Sequence, residues 1–223
     1  MNFLVKPMEA VLEFLHSYMA MVFSNPGVAY GLTIILLTFI VRLIIFPLNY
    51  KSTKSMMKTA EIGPKMKAIQ EKYKSNPQKQ NEEVMKLYKE EGVNPMAGCL
   101  PLLIQMPILF GLFGAFNELK GIQGVSFLWL QDLASPDKLY ILPMLSGITS
   151  YFIGKITPTV VMSTDSAQQN QQKTMNIVMT VMMVVMTIPI KSALALYWVT
   201  SNVIQLIQNL FMIWIFKKQK KND

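Results

Sequence analysis

The sequence predicts an all-α, polytopic membrane protein with five transmembrane helices, a cytoplasmic helical hairpin and an N-terminal amphipathic helix in the interface. Three observations carry this. The 223 residues are 52% apolar and only 15% charged. Five apolar stretches, separated by polar or chain-breaking segments, take up most of the length. The lysines are also unevenly placed. If residues 50–94, 158–173 and 217–223 share one side, that side carries 10, 1 and 4 of them. The other side holds only Lys6, Lys120, Lys138 and Lys191. The positive-inside rule then puts the hairpin and C-terminus in the cytoplasm and the N-terminus outside. The net charge of +8 signals topology and anionic-lipid or RNA-rich partners rather than DNA reading.

Residues 1–27 form the extracellular amphipathic helix and entry turn. Leu4, Met8, Val11, Leu12, Leu15, Met19 and Val22 recur every three or four positions, while Lys6, Glu9, Glu13 and His16 fall elsewhere on the wheel. The stretch lacks an h-region followed by a cleavage site, so the N-terminus is expected to be retained. His16 is alone, which speaks against a metal. Asn25-Pro26-Gly27 breaks the chain.

The first span, 28–49, is about long enough to cross the hydrocarbon as a helix. Arg42 lies inside it, nine residues before Lys51, roughly 13 Å of helix rise. An arginine near the centre of a span costs about 2.5–3.5 kcal/mol on insertion scales, which the surrounding Leu, Ile and Phe offset. Arg42 is the only arginine among 21 basic residues. On the helix it aligns with Thr38 and Asn49. No other apolar span carries an Asp or Glu well inside it, so an unpaired charge lining a wet cavity is favoured over a buried ion pair.

Residues 50–94 hold ten lysines and six glutamates. Ser75-Asn76-Pro77 divides them, with Asn76 as N-cap and Pro77 at the first helical position. Met66, Ile69 and Tyr73 stripe one half and Val84, Leu87 and Tyr88 the other, which predicts an antiparallel cytoplasmic hairpin suited to docking.

The second span, 95–117, carries Pro107 at mid-length, where a kink is expected, and Gln105 at about a third of the depth. The loop 118–138 includes Phe127-Leu128-Trp129-Leu130, an aromatic group of the kind found in interfacial belts. The third span is 139–157, followed by a glutamine-rich cytoplasmic loop, 158–173. The fourth, 174–190, is rich in methionine, read first as adaptable packing. The fifth, 191–216, repeats Trp198, Ser201, Asn202, Gln205, Gln208 and Asn209 on one face, which must see protein or water: interhelical glue or a wet groove. Residues 217–223 are a basic cytoplasmic tail.

The sequence shows no phosphate-binding glycine loop, no Ser/His/Asp set and no ligand cluster. The lone Cys99 allows neither an internal disulfide nor a cysteine metal cluster. Neither catalytic residues nor a cofactor are expected. A small transporter or channel would also place a charge and amides in a bundle, but internal repeats of the usual kind are not visible.

Four stretches, in register, resemble the YidC/Oxa/Alb membrane protein insertases. They are TFIVRLIIFPLNYKSTKSMMKTAEIGPKMKAIQEKY, NPMAGCLPLLIQMPILFGLF, FLWLQDLASPDKLYILP and LALYWVTSNVIQLIQ. The resemblance covers roughly residues 25 to 216 and is similar to the short forms of Gram-positive-type bacteria. The family's intramembrane arginine falls on Arg42 and its aromatic pair on Tyr197-Trp198. The resemblance implies an insertase in the bacterial plasma membrane, with a groove open to cytoplasm and lipid. Arg42, Thr38, Gln105, Trp198, Asn202 and Gln205 would line it. Implied partners are nascent membrane-protein substrates, the lipid bilayer and the ribosome, with the Sec translocon and signal recognition particle receptor as further candidates. The chain departs from the family at the turn before the last span, Ile188-Pro189-Ile190-Lys191-Ser192, and in lacking a lipid-attachment cysteine near its start.

Overall fold

The computed structural model describes residues 2–98, 100–157 and 166–222. Cys99 and residues 158–165 of the expected glutamine-rich loop lie outside the described residues. Those described form eight α-helices: α1 (Asn2–Val22), α2 (Pro26–Glu61), α3 (Gly63–Lys72), α4 (Pro77–Glu90), α5 (Leu100–Glu118), α6 (Ile141–Ile156), α7 (Ser166–Thr187) and α8 (Ser192–Asn222).

Local chemistry starts and stops these helices. Asn25 Oδ1 accepts from the Gly27 and Val28 amides at 2.9 and 3.2 Å, and Pro26 opens α2. With 36 residues, about 54 Å, α2 is far longer than a hydrocarbon core. It does not end near residue 49, where the composition changes. Nothing in 50–61 breaks a helix, so the switch from apolar to lysine-rich sequence marks a change of surroundings within one rod. Asn76 Oδ1 accepts from the Lys79 amide at 3.1 Å and starts α4. At its far end Gly92 adopts φ +62, the Gly92 amide bonds to Lys89 and the Val93 amide to Tyr88. That pattern is a Schellman cap, and the left-handed residue it needs is a glycine.

The helices enclose two separate apolar clusters. Ile62, Met66, Leu87, Tyr88 and Val93 form a small one between α3 and α4. Lys65 pairs with Glu91, and Gln80 Nε2 donates to the Gln70 carbonyl, so the two helices run antiparallel. The short 3-10 turn Pro95–Gly98 docks on α2 through Ser52 Oγ, which donates to the Ala97 carbonyl at 2.5 Å.

The larger cluster joins Leu12, Ile34, Leu37, Leu112, Phe116, Ile122, Leu133, Leu142 and Tyr197, with other residues around them. It draws on α1, α2, α5, α6, α8 and the α5–α6 connection. Gly114 lets α1 approach α5: a Cβ there would lie 2.3 Å from Val5 Cγ2. The aromatic loop group is only partly on the outside. Leu128 is 72% exposed, but Phe127, Leu130 and Leu133 are buried. Phe127 lies against Gly31, where a Cβ would meet its ring at 2.3 Å. Small residues on α2 therefore draw the loop inward.

Asp137 accepts from the Leu139 and Leu142 amides at 3.0 and 2.8 Å at the start of α6. Asp132 accepts from the Gly124 and Ala134 amides and from Ser135 Oγ. The atypical turn before α8 is docked as well. Ser192 N and Oγ both donate to the Ser135 carbonyl, and Lys191 Nζ donates to the Phe116 carbonyl at 3.0 Å. A lysine at the last turn of α5 complements its orphan carbonyls.

α8 packs between α2 and α6, and α7 packs on α6. The described part of the expected loop, from Ser166 on, belongs to α7. α2 and α8 are long and apolar enough to cross a membrane, by length and composition. Shorter apolar helical stretches run over Leu103–Glu118, Ile141–Ile156 and Lys173–Thr187.

Candidate functional site

A single polar stripe runs down the apolar part of α2. Thr38, Arg42 and Asn49 follow one another at helical spacing, and all three are buried. Thr38 donates its hydroxyl to the Ile34 carbonyl at 2.6 Å, so its own helix satisfies it. Arg42 has no such local option. Its side chain crosses to α8, where Nε donates to Ser201 Oγ at 2.8 Å and Nη2 to Gln205 Oε1 at 3.0 Å. Gln208 Nε2 donates to the Arg42 carbonyl at 3.3 Å, while its Oε1 is shielded without a partner among the described residues.

Arg42 is 7% exposed. The ion pairs among the described residues are Lys65–Glu91 and Lys67–Glu71, so Arg42 has no carboxylate there. Buried charges are ordinarily paired. This one is held by neutral acceptors alone, which fix its position without cancelling its charge.

The polar residues of α8 divide between two neighbouring faces. Ser201, Gln205 and Gln208 meet α2. Asn202 Nδ2 donates to Thr149 Oγ1 and Ser150 Oγ on α6, each at 3.2 Å, and Asn209 Nδ2 to Thr157 Oγ1 at 3.0 Å. Gln105 of α5 donates to the Tyr197 hydroxyl at 3.0 Å. The Trp198 indole N–H is shielded and has no partner among the described residues.

Of the residues expected together, Gln205 reaches Arg42 and Thr38 lies one turn away on the same helix. Gln105 contacts α8 through Tyr197, and Asn202 is engaged with α6. Sequence reasoning left Ser201 and Gln208 out of the site. Their signal was the spacing 201, 205, 208, set about 100° of helix from 202 and 209.

A cavity of about 360 Å³ lies elsewhere, lined by Glu9, Glu13, His16, Tyr30, Glu118 and Lys120 among others. Tyr30 is twelve positions from Arg42, about 18 Å along α2. His16 stacks on Tyr30 with ring centroids 3.6 Å apart, and burial holds its imidazole below the ordinary range. Among the described residues no His/Cys/Asp/Glu group is arranged to hold a metal.

Residues 21–221, which take in every contact of Arg42, match the family described as 60Kd inner membrane protein. A Clostridium perfringens protein, "Membrane protein insertase YidC", is 46% identical over 216 residues, covering 96% of this chain and 91% of its own length. The chain belongs to the YidC family. A second YidC, from Clostridium tetani, is 42% identical and is covered to 96% on both sides. A crystal structure described as "Active YidC insertase crystal structure with the first transmembrane domain resolved" superposes with a TM-score of 0.68 at 32% identity. The match takes in 89% of this chain and 44% of that YidC.

Proposed function

We propose that the chain is a bacterial membrane protein insertase that admits polar substrate tails through a groove centred on Arg42. The observation that supports this most is the buried guanidinium bound by Ser201 and Gln205, with no carboxylate among the described residues. An uncompensated cation in low dielectric attracts an incoming acid more strongly than the same charge in water. A short acidic or polar tail of a nascent membrane protein would exchange water for Arg42, Gln205 and Gln105, with Thr38 and Trp198 completing the lining and Asn202 holding α8 to α6 beside it. Its polar groups then cross less hydrocarbon. The apolar segment of the substrate leaves into lipid along α6 and α8. Partition of that segment drives the process. For acidic tails the membrane potential adds about 2.3 kcal/mol per charge per 100 mV. No covalent step is required.

In this reading α2, α5, α6, α7 and α8 supply the five spans, with the N-terminal helix outside and the tail inside. The lysine asymmetry and the lengths of α2 and α8 support that orientation. The α3–α4 hairpin and the lysines of α8 would receive translating ribosomes. The Sec translocon and the signal recognition particle receptor are further partners proposed for the hairpin side.

The test is insertion into liposomes that contain only this chain, using a short single-span substrate with an acidic tail. The tail should become protected from external protease, without nucleotide. Ion flux through the same liposomes, with no protected tail, would instead make the chain a channel or transporter.

A further inference from the structure

α8 holds Arg42 at three points. Ser201 and Gln205 take its guanidinium, at 2.8 and 3.0 Å, and Gln208 takes its main chain, donating Nε2 to the carbonyl at 3.3 Å. The third bond needs an explanation of its own. A carbonyl in mid-helix already has a partner, here the Phe46 amide four residues on. Gln208 adds a second, and its own Oε1 is left shielded and unpartnered among the described residues. A polar atom buried without a partner costs at least as much as one ordinary hydrogen bond returns. A leucine at this position would join the two helices without that cost.

Pro47 supplies the reason. It lies inside α2, five residues after Arg42. Lacking an amide hydrogen, it offers the Leu43 carbonyl no ladder partner, and its ring disfavours the helical conformation of the residue before it. That residue is Phe46, whose amide serves Arg42. The ladder of α2 is therefore weakest in the turn that carries the charge. Gln208 reaches over from α8 and bonds the carbonyl at the edge of this gap.

We infer that Gln208 is a positioning residue for insertion, one that splints α2 over Pro47 and so fixes the depth and direction of the Arg42 charge. The inference rests on the groove reading of Arg42. Ser201 and Gln205 follow the guanidinium wherever its side chain goes; of the three, Gln208 acts on the backbone that carries it. Without the splint the turn from 42 to 46 is free to open. The cation then spends less of its time where an incoming acid meets it.

The chain has a single arginine. Arginine isotope-labelled at its carbonyl carbon therefore marks one peptide group, and isotope-edited infrared spectroscopy of the full chain in liposomes reads its hydrogen bonding. Gln208→Met keeps an unbranched side chain of similar size but donates nothing. The labelled band should move to higher wavenumber. The ratio of acidic-tail to neutral-tail insertion should fall roughly fivefold, the equivalent of one buried hydrogen bond. Adding Pro47→Leu restores a ladder amide at an exposed position, where the new side chain has room. It should return the ratio to the wild-type value although Gln208 is still missing. A residue that only packs two helices together gives no such rescue, and neither does an unfolded variant. An unmoved band would mean that there is no bond to lose. A shifted band with an unchanged ratio would make the bond structural only, and a ratio that stays low after Pro47→Leu would cut the link to the proline. Each of these three results overturns the inference alone. Arg42→Ala controls for the reading beneath it: if that variant keeps the preference for acidic tails, the groove reading itself falls, whatever the band does.

Discussion

Arg42 Nη2 donates to Gln205 Oε1 at 3.0 Å across 163 positions of sequence. The bond joins α2 to α8 with no acid between them. It localises a positive charge in the apolar body, and in the proposed function this is the charge a passing substrate would meet.

Charge, rather than the fork of the guanidinium, is then the quantity that matters for acidic tails. Arg42→Lys keeps the charge but can reach only one of Ser201 and Gln205, and should retain much of the insertion activity. Arg42→Ala should lose about tenfold or more for acidic-tailed substrates, roughly 1.4 kcal/mol, while staying folded because no orphan carboxylate is left behind. Protease protection and thermal unfolding of the same two variants check this. A lysine variant as inactive as the alanine one would sink it.

Gln205→Leu strips one acceptor from a buried cation and should destabilise the protein by about 1–3 kcal/mol. Arg42→Leu together with Gln205→Leu should cost less than the two changes summed, since no donor is then stranded. The double-mutant cycle, read by denaturation in detergent, should give a coupling of about 0.5–3 kcal/mol. Strict additivity would mean that the bond contributes nothing.

Asn202 works on the other seam. Asn202→Ala should loosen α6 from α8 by about 0.6 kcal/mol, the usual scale for a hydrogen bond between membrane helices. Its effect on insertion should be the same for acidic and neutral tails. A selective loss for acidic tails would put Asn202 in the service of Arg42 instead.

The α3–α4 apolar cluster is separate from the main one. Replacing residues 63–91 by a short glycine–serine linker should leave the thermal midpoint of the helical body unchanged. Insertion of ribosome-delivered chains should fall. A body that melts or is degraded after this replacement would show that the hairpin is structural.

Asp132 supplies a pH dependence. Burial alone would raise its carboxyl, but the Ser135 hydroxyl, the Ala134 and Gly124 amides and the charge of Lys191 prevail and hold it below the ordinary range. A lowered folded value stabilises the protein at neutral pH, and that contribution disappears as pH falls through the folded value. The wild-type midpoint should therefore drop more steeply on acidification than that of Asp132→Asn. Parallel profiles would assign the acid sensitivity to other groups.

Much of this chain is legible because its signals are local. Asn25-Pro26 and Asn76-Pro77 state where helices begin, and the stripes at 66/69 and 84/87 state which faces meet. Arg42 is visible because a charge in a long apolar run has few benign explanations. The partners of Arg42 are harder to read. Ser201, Asn202, Gln205, Gln208 and Asn209 blend into one amide stripe on a helical wheel, and only packing shows that 201, 205 and 208 serve α2 while 202 and 209 serve α6. The continuation of α2 past residue 49 was hidden for another reason. Composition reports what surrounds a helix, whereas its end depends on a cap or a breaker, and the next one is Gly63-Pro64. The inward turn of Phe127 and Leu130 depends on the space left by glycines in a distant helix, which no short window of sequence contains.

The unbroken course of α2 has a mechanical consequence. Arg42, deep in the apolar body, and Thr59, beside the base of the hairpin, are seventeen positions apart on one helix, about 25 Å. Pro47 lies between them and removes one hydrogen bond of the ladder, but the helix continues through it, so tilt and rotation at one end can still pass to the other. Whatever grips the hairpin therefore also steers the arginine, and docking at one end can aim the charge at the other as a lever does.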